Sequence, residues 1–277
     1  MLESKIVVFD LDETLGHFTQ LCIIWDSINT FLKNEKSNTQ LMQDDFNKLL
    51  NEFPEYIRPN IESILQYLIN KKSNKKCKHV MIYTNNKRHK NWVYIIKKYF
   101  ENKMKSDIFD QIICAFKING KNVEFCRSTH NKTHKDLINC SKIPNNTQIC
   151  FIDDTYFSEM HHDNVYYIKV KPYIYCLSID TIINRIKKTS ILEKYIKGTN
   201  ISKCIDYIKE QLIKNSCHNK TKSMTEYDID KIISKQIMNH IESFFNNQGI
   251  YPCIKFDNMN KTKKNKIYKN KTQRLKD

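Results

Sequence analysis

The sequence predicts an α/β fold, a parallel sheet flanked by helices. Three observations predict it. Residues 5–9 (KIVVF), 79–83 (HVMIY), 148–152 (QICFI) and 165–170 form short runs that are apolar almost throughout, the pattern of strands buried on both faces. Between them lie longer stretches in which apolar residues recur every three or four positions, the pattern of amphipathic helices. Three of the runs end on polar groups, at Asp10, Thr84 and Asp153-Asp154. Strands alternating with helices imply a parallel sheet.

Taken in order, residues 5–9 are the first strand. Residues 19–56 read as a two-helix insert: Leu21, Ile24, Ile28 and Phe31 keep helical spacing, as do Phe46, Leu49, Leu50 and Phe53, with a polar break at 34–38. Arg58-Pro59 opens the next helix, with Pro59 suited to its first position and Ile61, Ile64, Leu65 and Leu68 as its apolar stripe. The strand at 79–83 leads to a helix over 88–103 whose Trp92, Ile95, Ile96 and Tyr99 face inward. Asn119-Gly120, between 111–118 and 121–126, predicts a hairpin, because both turn positions must accept positive φ. A short helix at 135–140 precedes the strand at 148–152. After about residue 178 the pattern is helical only. Residues 255–277 carry nine Lys/Arg against two Asp and read as a basic disordered tail. The expected organisation is a core over 1–177, a helical extension over 178–254 and that tail.

The chain has 277 residues, 40 % of them hydrophobic, enough for a sizeable core, and only 4 Gly and 5 Pro, which excludes collagenous and Pro-rich classes. A net charge of +16 favours anionic partners, namely nucleic acid, a phosphorylated substrate or an acidic protein; a solvated Lys-rich face is the plainer explanation. The tail is the candidate nucleic-acid contact. The 10 cysteines are spread singly without a C-x-x-C pair, against a zinc ribbon or thioredoxin-type motif. The start MLESKIVVFD has no signal-peptide pattern, and no stretch approaches the ~20 apolar residues of a membrane span. Reduced thiols in a cytoplasmic or nuclear compartment are therefore expected.

In an open parallel sheet, ligands bind beyond the carboxyl ends of the strands. Asp10 and Asp12, Thr84, Asp153 and Asp154 would converge there, joined by Lys135 from a helix start. Several carboxylates cannot share a site in ionised form without a counter-charge. An all-oxygen set suits Mg²⁺. A carboxylate can attack phosphorus, a second can move protons, and a lysine and a hydroxyl can hold phosphoryl oxygens. Lys132 competes with Lys135, and the K-D-L context favours Lys135. His130, His134, His161 and His162 lack a metal-site pattern. Lys87, Arg88 and Lys90 at a helix start are candidate contacts for an anionic substrate, as are Arg58 and Arg127.

VVFDLDETL, MIYTN, HKDL and CFIDD occur in that order and resemble the four motifs of the haloacid dehalogenase (HAD) phosphatases. The likeness is closest to the phosphatases of the RNA polymerase II C-terminal domain and their NLI-interacting-factor-like relatives, and it covers about residues 5–170. It implies a Rossmann-like HAD sheet, with the insert at 19–56 as a candidate cap. It implies Asp10 as nucleophile and Mg²⁺ ligand, and Asp12 as acid/base that also binds the metal through its carbonyl. Thr84, with Asn85 beside it, and Lys135 would bind phosphate. Asp153 and Asp154 would divide between ligating the metal and orienting the lysine. The expected activity is a protein Ser/Thr phosphatase, with a nucleotide or polynucleotide-end phosphatase, or a non-catalytic basic binding module, as alternatives.

Overall fold

The computed structural model describes residues 4–35, 39–88, 90–215, 222–246 and 254–255. The chain runs β1 (Lys5–Phe9), α1 (Thr19–Asn34), α2 (Gln43–Asn51), α3 (Ile61–Ser73), β2 (His79–Tyr83), α4 (Lys90–Met104), β3 (Gln111–Ile113), β4 (Lys117–Ile118), β5 (Lys121–Asn122), α5 (His134–Ser141), β6 (Gln148–Asp153), β7 (Val165–Lys169), α6 (Ile179–Lys188), α7 (Ile191–Tyr195), α8 (Asn200–Lys214), α9 (Met224–Asn246) and β8 (Ile254–Lys255). Five strands form a parallel sheet in the order β3-β2-β1-β6-β7, and two residues of β8 add to the edge of β7. This is a Rossmann-like α/β arrangement.

Successive side chains of a strand point to opposite faces, and the core divides accordingly. Val7, Phe9, Val80, Ile82, Cys150, Ile152 and Ile168 join one cluster with helices α1 to α4, α6, α8 and α9. Ile6, Val8, Met81, Tyr83, Ile149, Phe151 and Tyr167 join another, with Leu137 and Cys140 of α5. One face is thus buried under many helices. The other is covered by α5 and the loops around it.

The insert is two helices, as the apolar spacing predicts. Phe46 of α2 meets Trp25, Trp92 and Tyr99 edge-on, at ring distances of 5.2, 5.6 and 6.4 Å, so the Trp92/Tyr99 stripe is core. Asp45 accepts hydrogen bonds from Tyr195 (2.6 Å) and Lys194 (3.0 Å), tying α2 to α7. The predicted hairpin exists as β4 and β5, with Asn119 at φ 49° and Gly120 at φ 77°. Its strands are shorter than expected, because residues 111–113 pair with β2 in the main sheet instead.

Three further expectations are corrected. Helix α3 starts at Ile61, after Asn60 in the left-handed region (φ 64°), so Pro59 belongs to the turn before it. A strand follows the helical region: Ile168 and Lys169 pair with Ile254 and Lys255, whose two residues are too few to show a period. Cys126 and Cys140 form a disulfide with a Cα–Cα distance of 5.0 Å, where reduced thiols were expected; the segment before α5 folds back over that helix, which spacing along the chain does not reveal. The remaining basic tail lies outside the described residues. Among them, no helix is long and apolar enough to cross a membrane.

Ile208 of α8 is fully buried in the same cluster as β1. Ile208→Ala should therefore lower unfolding free energy by about 2–5 kcal/mol, read from urea melts. An unchanged midpoint would mean that the helices after 178 are not part of the cooperative core.

Candidate functional site

β1, β2 and β3 step across the sheet in one direction, and β6 and β7 in the other. The order reverses between β1 and β6, which is where such sheets bind ligands, at the carboxyl ends. Phe9 pairs with Ile82 on one side and Ile152 on the other. The next residue, Asp10, donates its backbone N–H to Ile152 O at 2.8 Å. Asp10 and Asp153 thus leave neighbouring strands at one level. One carboxylate oxygen from each of Asp10, Asp153 and Asp154 lies within 4.8 Å of the others.

The loop after β1 is held by backbone contacts. Glu13 sits at φ 59° and its N–H donates to Gly16 O at 2.7 Å. Gly16 is required because a Cβ there would collide with the Tyr56 carbonyl oxygen. Arg58, at 1 % exposure, donates to Thr14 O (2.6 Å), Glu13 O (2.6 Å) and Lys171 O (2.8 Å). It is a clamp on loop carbonyls rather than the substrate contact considered from sequence. The Thr14 hydroxyl accepts from Asp154 N at 3.1 Å, joining this loop to the acidic pair.

Lys132, and not Lys135, reaches the carboxylates. Its ammonium donates to Asp10 Oδ1 and, at 2.6 Å, to Asp153 Oδ2. It is buried, with the rings of Tyr83, Phe151 and Phe157 within 6 Å. Lys135 is exposed and borders a separate surface cleft with His134 and His162. The reason is the helix start. Thr133 is the N-cap, its hydroxyl accepting from Asp136 N at 2.9 Å. Lys132 therefore precedes the helix, next to an N-cap in extended backbone, while Lys135 falls within the first turn and is exposed. The Asp of K-D-L has the structural role: Asp136 accepts from Ser128 N (3.0 Å) and Ser128 Oγ (2.8 Å). A threonine three residues before an aspartate is the signal that places the cap.

Thr84 is fully buried at the end of β2, and its hydroxyl accepts from Asn86 N at 3.0 Å. Asn85 beside it is half-buried. Asn86, which sequence reasoning did not single out, donates its amide to Asp12 Oδ2 at 2.7 Å. Arg127 is buried like Arg58 and bonds to carbonyls, so it too is not a substrate-side group. A cleft of about 510 Å³ opens beside Asp12 and Asn86, with Lys87 and Arg88 on its border; Thr19 is where the insert meets it. Arg88 lies 3.4 Å from Asp26. His134 and His162 stack ring on ring at 4.0 Å, away from the acids.

Burial, reinforced by Asp10, pushes the Asp12 carboxyl up to about 7. The same two causes raise Asp154 to about 6. Burial also raises Asp153, with Asp10 adding to it and Lys132 opposing it. The Lys132 ammonium is disfavoured by burial, but Asp10 and Asp153 outweigh this and raise it. One cation faces four carboxyls, so the set lacks positive charge.

No protein-family model, curated protein or solved structure matches this chain.

The raised carboxyls fix the sign of a pH effect. The folded state binds protons more tightly than the unfolded one, so the contribution to stability is complete below the ordinary value of 3.8 and is lost as pH rises through about 6 to 7. In chelator, the thermal midpoint should fall by ~4 °C or more between pH 5 and pH 8. A midpoint that stays level or rises over that range would contradict the shared-charge arrangement.

Proposed function

We propose that this chain is a Mg²⁺-dependent phosphomonoesterase of the HAD type that works through a phosphorylated Asp10. The observation carrying this reading is the meeting of Asp10, Asp153, Asp154 and Lys132 at the switch point of the sheet. Three of the ordered motifs, VVFDLDETL, MIYTN and CFIDD, support it independently, and among HAD phosphatases they most resemble those of the polymerase C-terminal-domain type. Lys132 takes the part that the sequence assigned to Lys135.

The donor set fits Mg²⁺. Its oxygens are all carboxylate, they lie within 4.8 Å of one another, and their charge is only partly offset by Lys132. Asp10 and Asp154 would hold the ion by their side chains, with the Asp12 carbonyl beside them, while Asp153 orients Lys132. The ion, when bound, supplies positive charge to the phosphoryl oxygens.

The remaining steps belong to the chain. An Asp10 carboxylate oxygen attacks phosphorus in line with the ester oxygen, and the P–O bond to the leaving group breaks. Asp12, protonated near neutral pH and held by Asn86, gives its proton to the departing oxygen. As a carboxylate it then takes a proton from water, which attacks phospho-Asp10 and releases phosphate. Lys132 and the Thr84 hydroxyl hold the phosphoryl oxygens through both steps.

The open cleft beside Asp12 suits a leaving group attached to a larger molecule, which favours a phosphoserine or phosphothreonine protein. Lys87 and Arg88 on its border favour a second reading, a nucleotide or polynucleotide end.

Mg²⁺-dependent release of phosphate from an aryl phosphate should be lost in Asp10→Asn; full activity in that variant would remove the proposed nucleophile. Lys132→Ala should lower kcat/KM about 10²–10³-fold, the scale for one charge-stabilising group. Lys135→Ala should stay within about twofold, since Lys135 is remote from the acids. The reverse ranking would restore the sequence-based assignment. Comparing a phosphoserine peptide, a nucleoside monophosphate and a 3′-phosphorylated oligonucleotide separates the two substrate readings.

A further inference from the structure

We infer that Arg127 is a positioning residue for both phosphate-side groups, Thr84 and Lys132, and that the Cys126–Cys140 disulfide holds it in place. The catalytic consequence rests on the phosphatase reading; the geometry stands without it.

Arg127 is 3 % exposed and joins segments that are far apart in sequence. One terminal guanidinium nitrogen donates to Thr84 O (3.2 Å) and Cys114 O (2.8 Å), at the ends of β2 and β3. The other donates to His130 O (3.0 Å) and Asn131 O (3.1 Å), the two carbonyls just before Lys132. The guanidinium carbon also lies 4.8 Å from the centre of the Tyr83 ring. A single planar group therefore fixes the backbone of Thr84 relative to the backbone that delivers Lys132.

A loop-filling role alone accounts poorly for this arrangement. Among the described residues Arg127 pairs with no carboxylate, and its buried Nε has no hydrogen-bond partner. Burial disfavours the Arg127 guanidinium, and Tyr83, Asp136 and Glu124 offset this only in part, so a well-packed apolar side chain would fill the space at less cost. What an apolar group cannot do is donate to four carbonyls from two stretches of loop at once. That constraint matters here because the Lys132 ammonium must meet Asp10 and Asp153 together. A displacement of about 1 Å is enough to degrade a site of this kind.

The disulfide supplies the anchor. Cys126 immediately precedes Arg127, and its partner Cys140 lies in α5, packed into the thinner side of the core. Non-covalent side-chain ties on that segment are Ser128 bonding to Asp136, Glu124 accepting from Cys114 N at 3.1 Å and Asn131 donating to Glu159 at 3.1 Å; the disulfide is its covalent tie to α5. A dithiol reductant would supply two electrons and two protons, break the S–S bond, leave thiols on Cys126 and Cys140, and itself become a disulfide. The Arg127 segment would then keep its hydrogen-bonded ties and lose the covalent one next to Arg127.

The test uses the full chain and two readouts. The first is acetylation of Lys132 by acetic anhydride, followed by peptide mass spectrometry, which needs no turnover. Lys132 should be protected in the oxidised wild type, label at least about tenfold faster in Arg127→Ala, and about threefold faster after dithiol treatment confirmed by thiol counting. The second is KM for an aryl phosphate and the inhibition constant of inorganic phosphate. Both should rise about tenfold in Arg127→Ala, with added guanidinium reversing most of the change. The Cys126→Ser/Cys140→Ser double variant should match the reduced wild type and ignore dithiol; it also serves if Arg127→Ala fails to fold. Lys132 remaining protected in Arg127→Ala, or in the wild type with both thiols free, would overturn the inference. So would an Arg127→Ala protein that loses thermal stability while KM and phosphate inhibition stay unchanged. Absence of turnover in the wild type would defeat the phosphatase reading alone, and the labelling would then decide the role of Arg127.

Discussion

The Lys132 ammonium, buried between Asp10 and Asp153, is the contact around which the site is built. Adjacent parallel strands bring two acids to one level, where both cannot remain ionised without a cation. Removing one partner of such a buried pair typically costs about 3–5 kcal/mol, because the charge left behind is unsolvated. The loop before α5 must therefore deliver a lysine to a fixed point. The Thr133 cap and the Asp136–Ser128 bonds set the path of that loop, and both depend on side chains that never touch the acids.

A second constraint is the solvation of loop carbonyls. Functional loops at the end of a sheet carry backbone groups without ladder partners. Two buried arginines satisfy them here in parallel ways. Arg58 collects carbonyls of Glu13, Thr14 and Lys171, and Arg127 collects those of Thr84, Cys114, His130 and Asn131. Guanidinium suits the task, since its donors are planar and fan outward. Each loop that carries an acid, a hydroxyl or the ammonium is touched by one of these groups or by Thr14.

Much of this was legible in the sequence, for definite reasons. Strands buried on both faces read as continuous apolar runs, so β1, β2, β6 and β7 stood out, and the acids at their ends followed. The insert was legible because Phe46 and its neighbours keep a helical period. Which lysine reaches the acids was not legible from the K-D-L context, because the capping threonine decides which lysine lies outside the helix. Asn86 was missed because an amide two residues beyond Thr84 has no pattern until the chain turns. The pairing of Cys126 with Cys140 and of β7 with β8 depends on tertiary approach, which single spacings and two-residue strands do not encode.

The Lys5 ammonium donates to the Phe244 carbonyl at 2.8 Å, across 239 positions of sequence, and this long-range stitch bears on biosynthesis. β1 precedes its second neighbour, β6, by about 140 residues, roughly 7–30 s of synthesis at typical elongation rates. Until then a strongly apolar segment has a bare flank, and Asp10 just beyond it waits nearly as long for Lys132. The nascent chain would thus profit from early packing of β1 against β2 and α3, or from a chaperone, while the centre itself assembles only once β6 and Asp153-Asp154 have been made.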